Sequence, residues 1–133
     1  MTVYSIAQSG LTAAQTRVGV SAANIANARS TAQTDAQGNV TNQPYEARRV
    51  QLTQPVPGGG VVADVVIDQN PTVRVQAFES DVLAAPDGSI EVPNVNYAEE
   101  LIEQQMATYD FKANLKVLET QKEMEETLLD VLA

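Results

Sequence analysis

Apolar side chains recur at Tyr4, Leu11, Val18 and Ile25, one every seven positions, and Ala7, Ala14 and Ala22 follow three or four residues after the first three. This spacing lays an a/d-like stripe along one face of a helix and predicts a helix over residues 3–28. Gly10 and Gly19 fall within it. Each costs about 1 kcal/mol relative to alanine, but the missing side chain lets a neighbouring helix come close. With so narrow a stripe the helix is marginal alone, because nucleation is unfavourable.

A longer stripe occupies the other end of the chain. Ile102, Met106, Tyr109, Ala113, Val117, Thr120, Met124, Leu128 and Val131 are separated by steps of three and four that repeat every eleven residues. A period near 3.67 residues per turn implies a nearly straight or slightly right-handed seam. Leu101, Leu115, Leu118 and Leu129 widen it on one flank. Asn96 with Glu99 three residues later reads as a capping box, with asparagine in place of serine or threonine. The helix is therefore predicted from Tyr97 to near the C-terminus, on the order of 50 Å long.

Between the stripes the pattern changes. Residues 28–43 are polar and read as a loop. Tyr45 to Thr53, entered through Pro44, reads as a strand, and the β-branched run Val61 to Ile67 as another, with Pro57 and three glycines between them. Val73, Val75 and Ala77 alternate with polar residues after an Asn70-Pro71 turn, and Asp87-Gly88 precedes a short strand at Ile90 to Val92. The chain then divides into residues 1–28, a β-rich middle at 29–93 containing a polar loop, and residues 94–133. The predicted fold class is α+β: terminal helices paired as a coiled-coil-like arm, their stripes facing each other, with the middle region projecting from one end. Any stripe left over must meet other subunits.

Composition narrows the chemistry. The 133 residues contain no cysteine and no histidine. Disulfides and thiolate metal sites are excluded, as are the usual general base and the commonest metal ligand. The carboxylate clusters Glu99-Glu100-Glu103 and Glu123-Glu125-Glu126 read as solvated helix faces, since a catalytic pair needs a desolvated cleft to split its pKa values. Asp35 to Gly38 and Asp87-Gly88 lack the alternating ligands and closing glutamate of a calcium loop and read as turns. No metal or cofactor is expected.

The net charge of −9 disfavours nucleic acid. It is unevenly spread. Residues 1–60 carry Arg17, Arg29, Arg48 and Arg49 against Asp35 and Glu46, whereas residues 61–133 carry four basic and fifteen acidic side chains. The plain reading is a solvated acidic surface; the sharper one is that unlike ends of neighbouring copies attract, so that at least one of these arginines reaches a carboxylate on a neighbour, the rival being that Arg48 and Arg49 pair within their own subunit. The opening MTVYSIAQSG has no basic region followed by a long apolar stretch, so no cleaved secretory signal is expected, and no stretch is long enough to span a membrane.

The segment Ser9-Gly10-Leu11-Thr12-Ala13-Ala14-Gln15-Thr16-Arg17, followed by Ala23-Asn24-Ile25-Ala26-Asn27, resembles the N-terminal signature of bacterial flagellar rod, hook and related axial proteins. Pro93-Asn94-Val95-Asn96, then Glu99-Glu100-Leu101, Tyr109 to Asn114 and Val117-Leu118, resembles their C-terminal signature. Pro44-Tyr45 with Arg48-Arg49-Val50, and the short length, are similar to the proximal rod proteins of FlgC type. The resemblance implies a structural subunit of the periplasm-spanning rod, polymerising with other rod proteins and with copies of itself, and exported by the flagellar type III apparatus without a cleaved signal. It and the stripes nominate Leu11, Val18, Ile25, Ile102, Met106, Tyr109 and Val117 as apolar subunit contacts. Asn24, Asn27, Asn94, Asn96 and Asn114 are nominated as polar ones. Rival readings are another axial protein, a free-standing module whose helices bind a helical partner, and an enzyme using only carboxylates.

Overall fold

The computed structural model describes residues 2–34, 40–76 and 88–132. Helix α1 spans Val3–Asn27 and α2 spans Tyr97–Leu132, the latter about 54 Å long at 1.5 Å per residue. Thr2 caps α1, its hydroxyl accepting from the Ser5 amide at 3.3 Å. Asn96 starts α2: its carbonyl Oδ1 accepts from the Ala98 amide and its Nδ2 donates to Glu99 Oε1, both at 3.0 Å. The Asn96–Glu99 box thus closes side chain to side chain.

Among the described residues, three antiparallel strand pairs lie between the helices. β1 (Gln33–Thr34) pairs with β2 (Val40–Asn42), β3 (Arg48–Thr53) with β4 (Val62–Ile67), and β5 (Thr72–Gln76) with β6 (Ser89–Pro93). The first pair lies in the stretch expected to be a loop. Ladders this short are held by backbone bonds and leave no side-chain period to read. Asp35 to Gly38, Ala77 and Asp87 lie outside the described residues. Gly58 and Gly88 take φ of 71° and 75°, the left-handed turns that bend the chain before β4 and into β6.

The helices pack antiparallel, as the spacing Tyr4–Glu125, Arg17–Glu103 and Ser21–Glu100 shows. The face they share differs from the expected one. It is lined on α1 by Ala7, Gly10, Ala14, Arg17, Ser21 and Asn24, and on α2 by Glu100, Glu103, Ala107, Asp110 and Asn114. A Cβ on Gly10 would lie 2.5 Å from Asn114 Oδ1, so this glycine permits the close approach; nothing stands within 4 Å of Gly19. Of the expected stripe Ala7 and Ala14 are inside, Leu11, Val18 and Ile25 are half-buried, and Tyr4 and Ala22 are exposed. On α2 the stripe from Ile102 to Val131 stays exposed along one flank, with Ala113, Val117 and Met124 beside Val3 of α1, and Ala107, one residue beyond Met106, faces α1. Arg17, Ser21 and Asn24 decide this rotation. Each of the three finds a hydrogen-bond partner on α2, Arg17 at Glu103 and Asp110, Ser21 at Glu100 O and Asn24 at Glu100 Oε1, and buried polar groups left without partners are costly.

The middle region also departs from expectation. The β3–β4 hairpin lies back along α1 instead of projecting, fastened at both ends. Near one end Asn24 binds Arg48; near the other the Val61 amide donates to Ser9 Oγ at 3.0 Å. Ser9 and Asn24 are fifteen residues apart, about 22 Å along a helix, close to the six- or seven-residue length of the hairpin. The β5–β6 hairpin does not pack along either helix. It is tied at its base, where the amides of Ala47 and Asn94 both donate to Pro71 O.

Candidate assembly surfaces

Asn24 joins three elements. Its Nδ2 donates to Arg48 O at 2.7 Å and to Glu100 Oε1 at 2.6 Å; its Oδ1 accepts from Arg48 N and from the Tyr45 hydroxyl, both at 3.0 Å. The side-chain amide thus pairs with both backbone groups of Arg48, as a strand residue would, and closes the free edge of β3 there. Burial pushes the Tyr45 hydroxyl up from its ordinary pKa, which keeps it a donor. Asn24 is 2% exposed and all four of its hydrogen bonds are internal, so it neither ends the helix nor presents an amide outward. One turn earlier, Ser21 Oγ donates to Glu100 O at 2.8 Å. Arg17 Nε lies 2.5 Å from Glu103 Oε1 and its Nη1 bonds Asp110. The Glu103 bond, with that of Asp110, moves Arg17 above its ordinary pKa against the opposing effect of burial, and its charge is satisfied within the chain.

Asn114 is half-buried against Gly10, and its Nδ2 donates to Asp110 O. Asn27 caps back on Ala23 O, Asn94 donates to Asn70 O, and Asn96 caps α2; these three remain exposed. Arg48 stands 5.6 Å from the centre of the Tyr45 ring. Among the described residues neither Arg48 nor Arg49 forms an ion pair. A polar cleft of about 300 Å³ lies beside them, lined also by Asp68, Glu99 and Glu100. It mixes both signs of charge. Among the described residues no group of acidic side chains is placed to hold a metal ion, and no helix is long and apolar enough to cross a membrane.

The residues buried among those described are alanines, two prolines, Ser21 and Asn24. No leucine, isoleucine, valine, methionine, phenylalanine or tyrosine is among them. Ile102, Met106, Tyr109 and Val117 are 56%, 51%, 62% and 45% exposed, and Leu52, Val62, Val65 and Ile67 of the β3–β4 hairpin are also exposed. Large apolar faces of this kind mark surfaces that neighbours cover. Sequence reasoning missed Ser9, Ser21, Tyr45 and Ala107. The small residues at Ala7, Ala14 and Ser21, seven apart, were the available signal for the inner seam.

These features define a class: a structural subunit whose terminal helices make one arm and whose apolar surface is completed by others. Residues 87–131 match the family described as flagellar basal body rod FlgEFG protein C-terminal. Along most of its length the chain is similar to flagellar basal-body rod proteins FlgC. It is 36% identical to that of Escherichia coli O6:H1 over 129 residues, covering 93% of this chain and 91% of the relative. It is 32% identical to that of Salmonella typhimurium over 128 residues, with the same coverage. With that of Borreliella burgdorferi it shares 31% identity over 151 residues, covering 96% and 94%. The chain belongs to the FlgC family of flagellar basal-body rod proteins, structural subunits of the rod.

Proposed function

We propose that this chain polymerises, with its own copies and with other axial proteins, into the proximal rod of the flagellar drive shaft, and that it catalyses no reaction. The observation that carries this reading is the inverted distribution of bulk: small residues fill the interior and large apolar side chains face outward along α2 and the β3–β4 hairpin. A free-standing enzyme needs the reverse, a core of large side chains and a desolvated cleft. The exposed α2 stripe, with the half-buried Leu11, Val18 and Ile25, forms the apolar contacts, and Asn27, Asn94 and Asn96 stand at the surface beside them. Asn24 holds the subunit's own shape. Arg48 and Arg49 reach carboxylates on neighbours; Arg17 does not, being paired internally.

Met106→Asp separates folding from assembly. Met106 is half exposed in the single chain, so the substitution changes its unfolding free energy by no more than about 0.5 kcal/mol. In a packed rod the same carboxylate is buried without a partner, at a cost of several kcal/mol. The expected result is a normally folded chain, no basal bodies and no swimming. Normal motility with intact basal bodies refutes the reading.

Delivery to the rod goes through the flagellar type III apparatus, with targeting information in the N-terminal segment. Deleting residues 2–25 is expected to trap the protein in the cytoplasm, measured by fractionation. Periplasmic recovery of the truncated chain would show another route.

A further inference from the structure

The β3–β4 hairpin grips α1 at two turns where α1 also meets α2. At one, Asn24 bonds both backbone groups of Arg48 and the Tyr45 hydroxyl, and also the Glu100 carboxylate of α2, while Ser21 Oγ donates to Glu100 O. At the other, Ser9 Oγ accepts from the Val61 amide at 3.0 Å. Gly60 presses against the same side chain: a Cβ on it would overlap Ser9 Oγ and lie 2.8 Å from Ser9 Cβ. The next residue of α1, Gly10, meets Asn114 of α2.

Between these turns the hairpin and α2 share what they cover. Ala13, 5% exposed, lines a groove beside Leu52 and Gly60. Arg17 lines that groove and also the polar cleft beside Arg49 and Val50, so β3 runs alongside it. The Arg17 side chain is only 11% exposed, although its partners Glu103 and Asp110 are 40% and 56% exposed. Water screens an open ion pair strongly and a covered one much less. By covering Arg17, β3 strengthens a bond between α1 and α2 that it does not itself make.

The helix seam offers α1 little else. The buried residues of α1 are Ala7, Ala13, Ala14, Ser21 and Asn24, and side chains this small remove little apolar area from water. β3 and β4 pack along α1 and not along α2. We infer that the hairpin is a strap: docking of β3–β4 and pairing of α1 with α2 are coupled, and α1 is held on α2 only while residues 48–67 are folded across it. The N-terminal helix thus has an attachment that is released by lifting an element that does not lie between the helices. A helix with so narrow a stripe is marginal alone, so release also lets α1 unfold. The device belongs to the single chain and stands apart from the rod reading.

Amide hydrogen exchange of the full-length chain, followed peptide by peptide, tests the coupling. Gly60 has no left-handed φ, so Gly60→Val acts through its contact with Ser9 and not through backbone strain. Ser9→Ala is the milder variant: it removes the acceptor of Val61 N but places a better helix former in α1, so a purely local effect would protect α1. Both variants are expected to speed exchange about tenfold in β3–β4, in residues 7–21 of α1 and in the facing turns of α2. Gln76→Ala, which removes a bond to Gly88 O within the β5–β6 hairpin, should leave α1 unchanged. Linkage makes the coupling reciprocal, so Ala107→Leu, which wedges the helices apart at a fully buried position, should speed exchange in β3–β4 by a similar factor. The proposal is overturned if β3–β4 loosens in Ser9→Ala while α1 stays as protected as in the native chain, or if Ala107→Leu leaves the hairpin unchanged. Native exchange throughout both strap variants overturns it as well. If Gly60→Val unfolds the whole chain, β5–β6 included, Ser9→Ala decides by the same criterion.

Discussion

Asn24→Ala is expected to lower the unfolding free energy of the isolated chain by about 2–4 kcal/mol, read from urea denaturation. The loss is large because the side chain serves four partners at once: both backbone groups of Arg48, the Tyr45 hydroxyl and the Glu100 carboxylate. Removing it leaves buried polar groups unpaired, and each such group costs about 1–3 kcal/mol. Entering water recovers part of this. Asn24→Asp tests the orientation of the amide. It keeps an acceptor for Arg48 N and Tyr45, but sets a carboxylate oxygen against the Arg48 carbonyl and Glu100. Repulsion raises the pKa of the new carboxyl in the folded state above its unfolded value. The folded chain then binds the proton more tightly, so stability is retained below the unfolded pKa and lost as pH rises through the folded one. Asn24→Asp should therefore be least stable at neutral pH and recover in mild acid. If Asn24→Ala unfolds within 0.5 kcal/mol of the native chain (about the scatter of surface substitutions), the junction does not carry the stability assigned to it.

Ala107→Leu is expected to cost the isolated chain about 1–3 kcal/mol or more, since overpacking a closed interface forces side chains or backbone to shift. Ala107 is 0% exposed and stands on the face of α2 that carries Glu103 and Asp110, opposite Arg17. A leucine there wedges the helices apart and draws both carboxylates away from the guanidinium. The adjacent Met106→Leu should be nearly neutral to folding, because that side chain faces solvent. Equal stability for the two variants would mean that the inner seam is not where it has been placed.

Much of the architecture was legible along the chain. The stripe and its capping residues delimited the last helix, from Tyr97, and the β-branched run before Ile67 marked β4, because periodicity and turn chemistry are local. The end motifs pointed to the family. Less legible was which face of each helix turns inward. Ala7 and Ala14 belong to the inner seam, whereas Met106 and Tyr109, with the stronger apolar signal, do not. An apolar stripe states that something will cover it, and its spacing is the same whether the cover is the same chain or another.

By itself, then, the sequence determined the two helices and the strands β3 to β6, though not β1 and β2, together with their order, the absence of thiol and imidazole chemistry, and the membership that its terminal motifs imply. Each follows from residue identity or from spacing within a few turns. Tertiary structure decided the rest. It rotated the helices so that Arg17, Ser21 and Asn24 meet Glu100, Glu103 and Asp110, laid the β3–β4 hairpin along α1 between Ser9 and Asn24, and left the tip of α2 bare. Buried polar groups require partners at hydrogen-bond distance, and those partners lie 21 to 93 residues away in the chain. No local pattern records a distance of that kind; only the folded chain brings Asn24 to Arg48 and Glu100 together, and so settles which apolar faces remain for its neighbours.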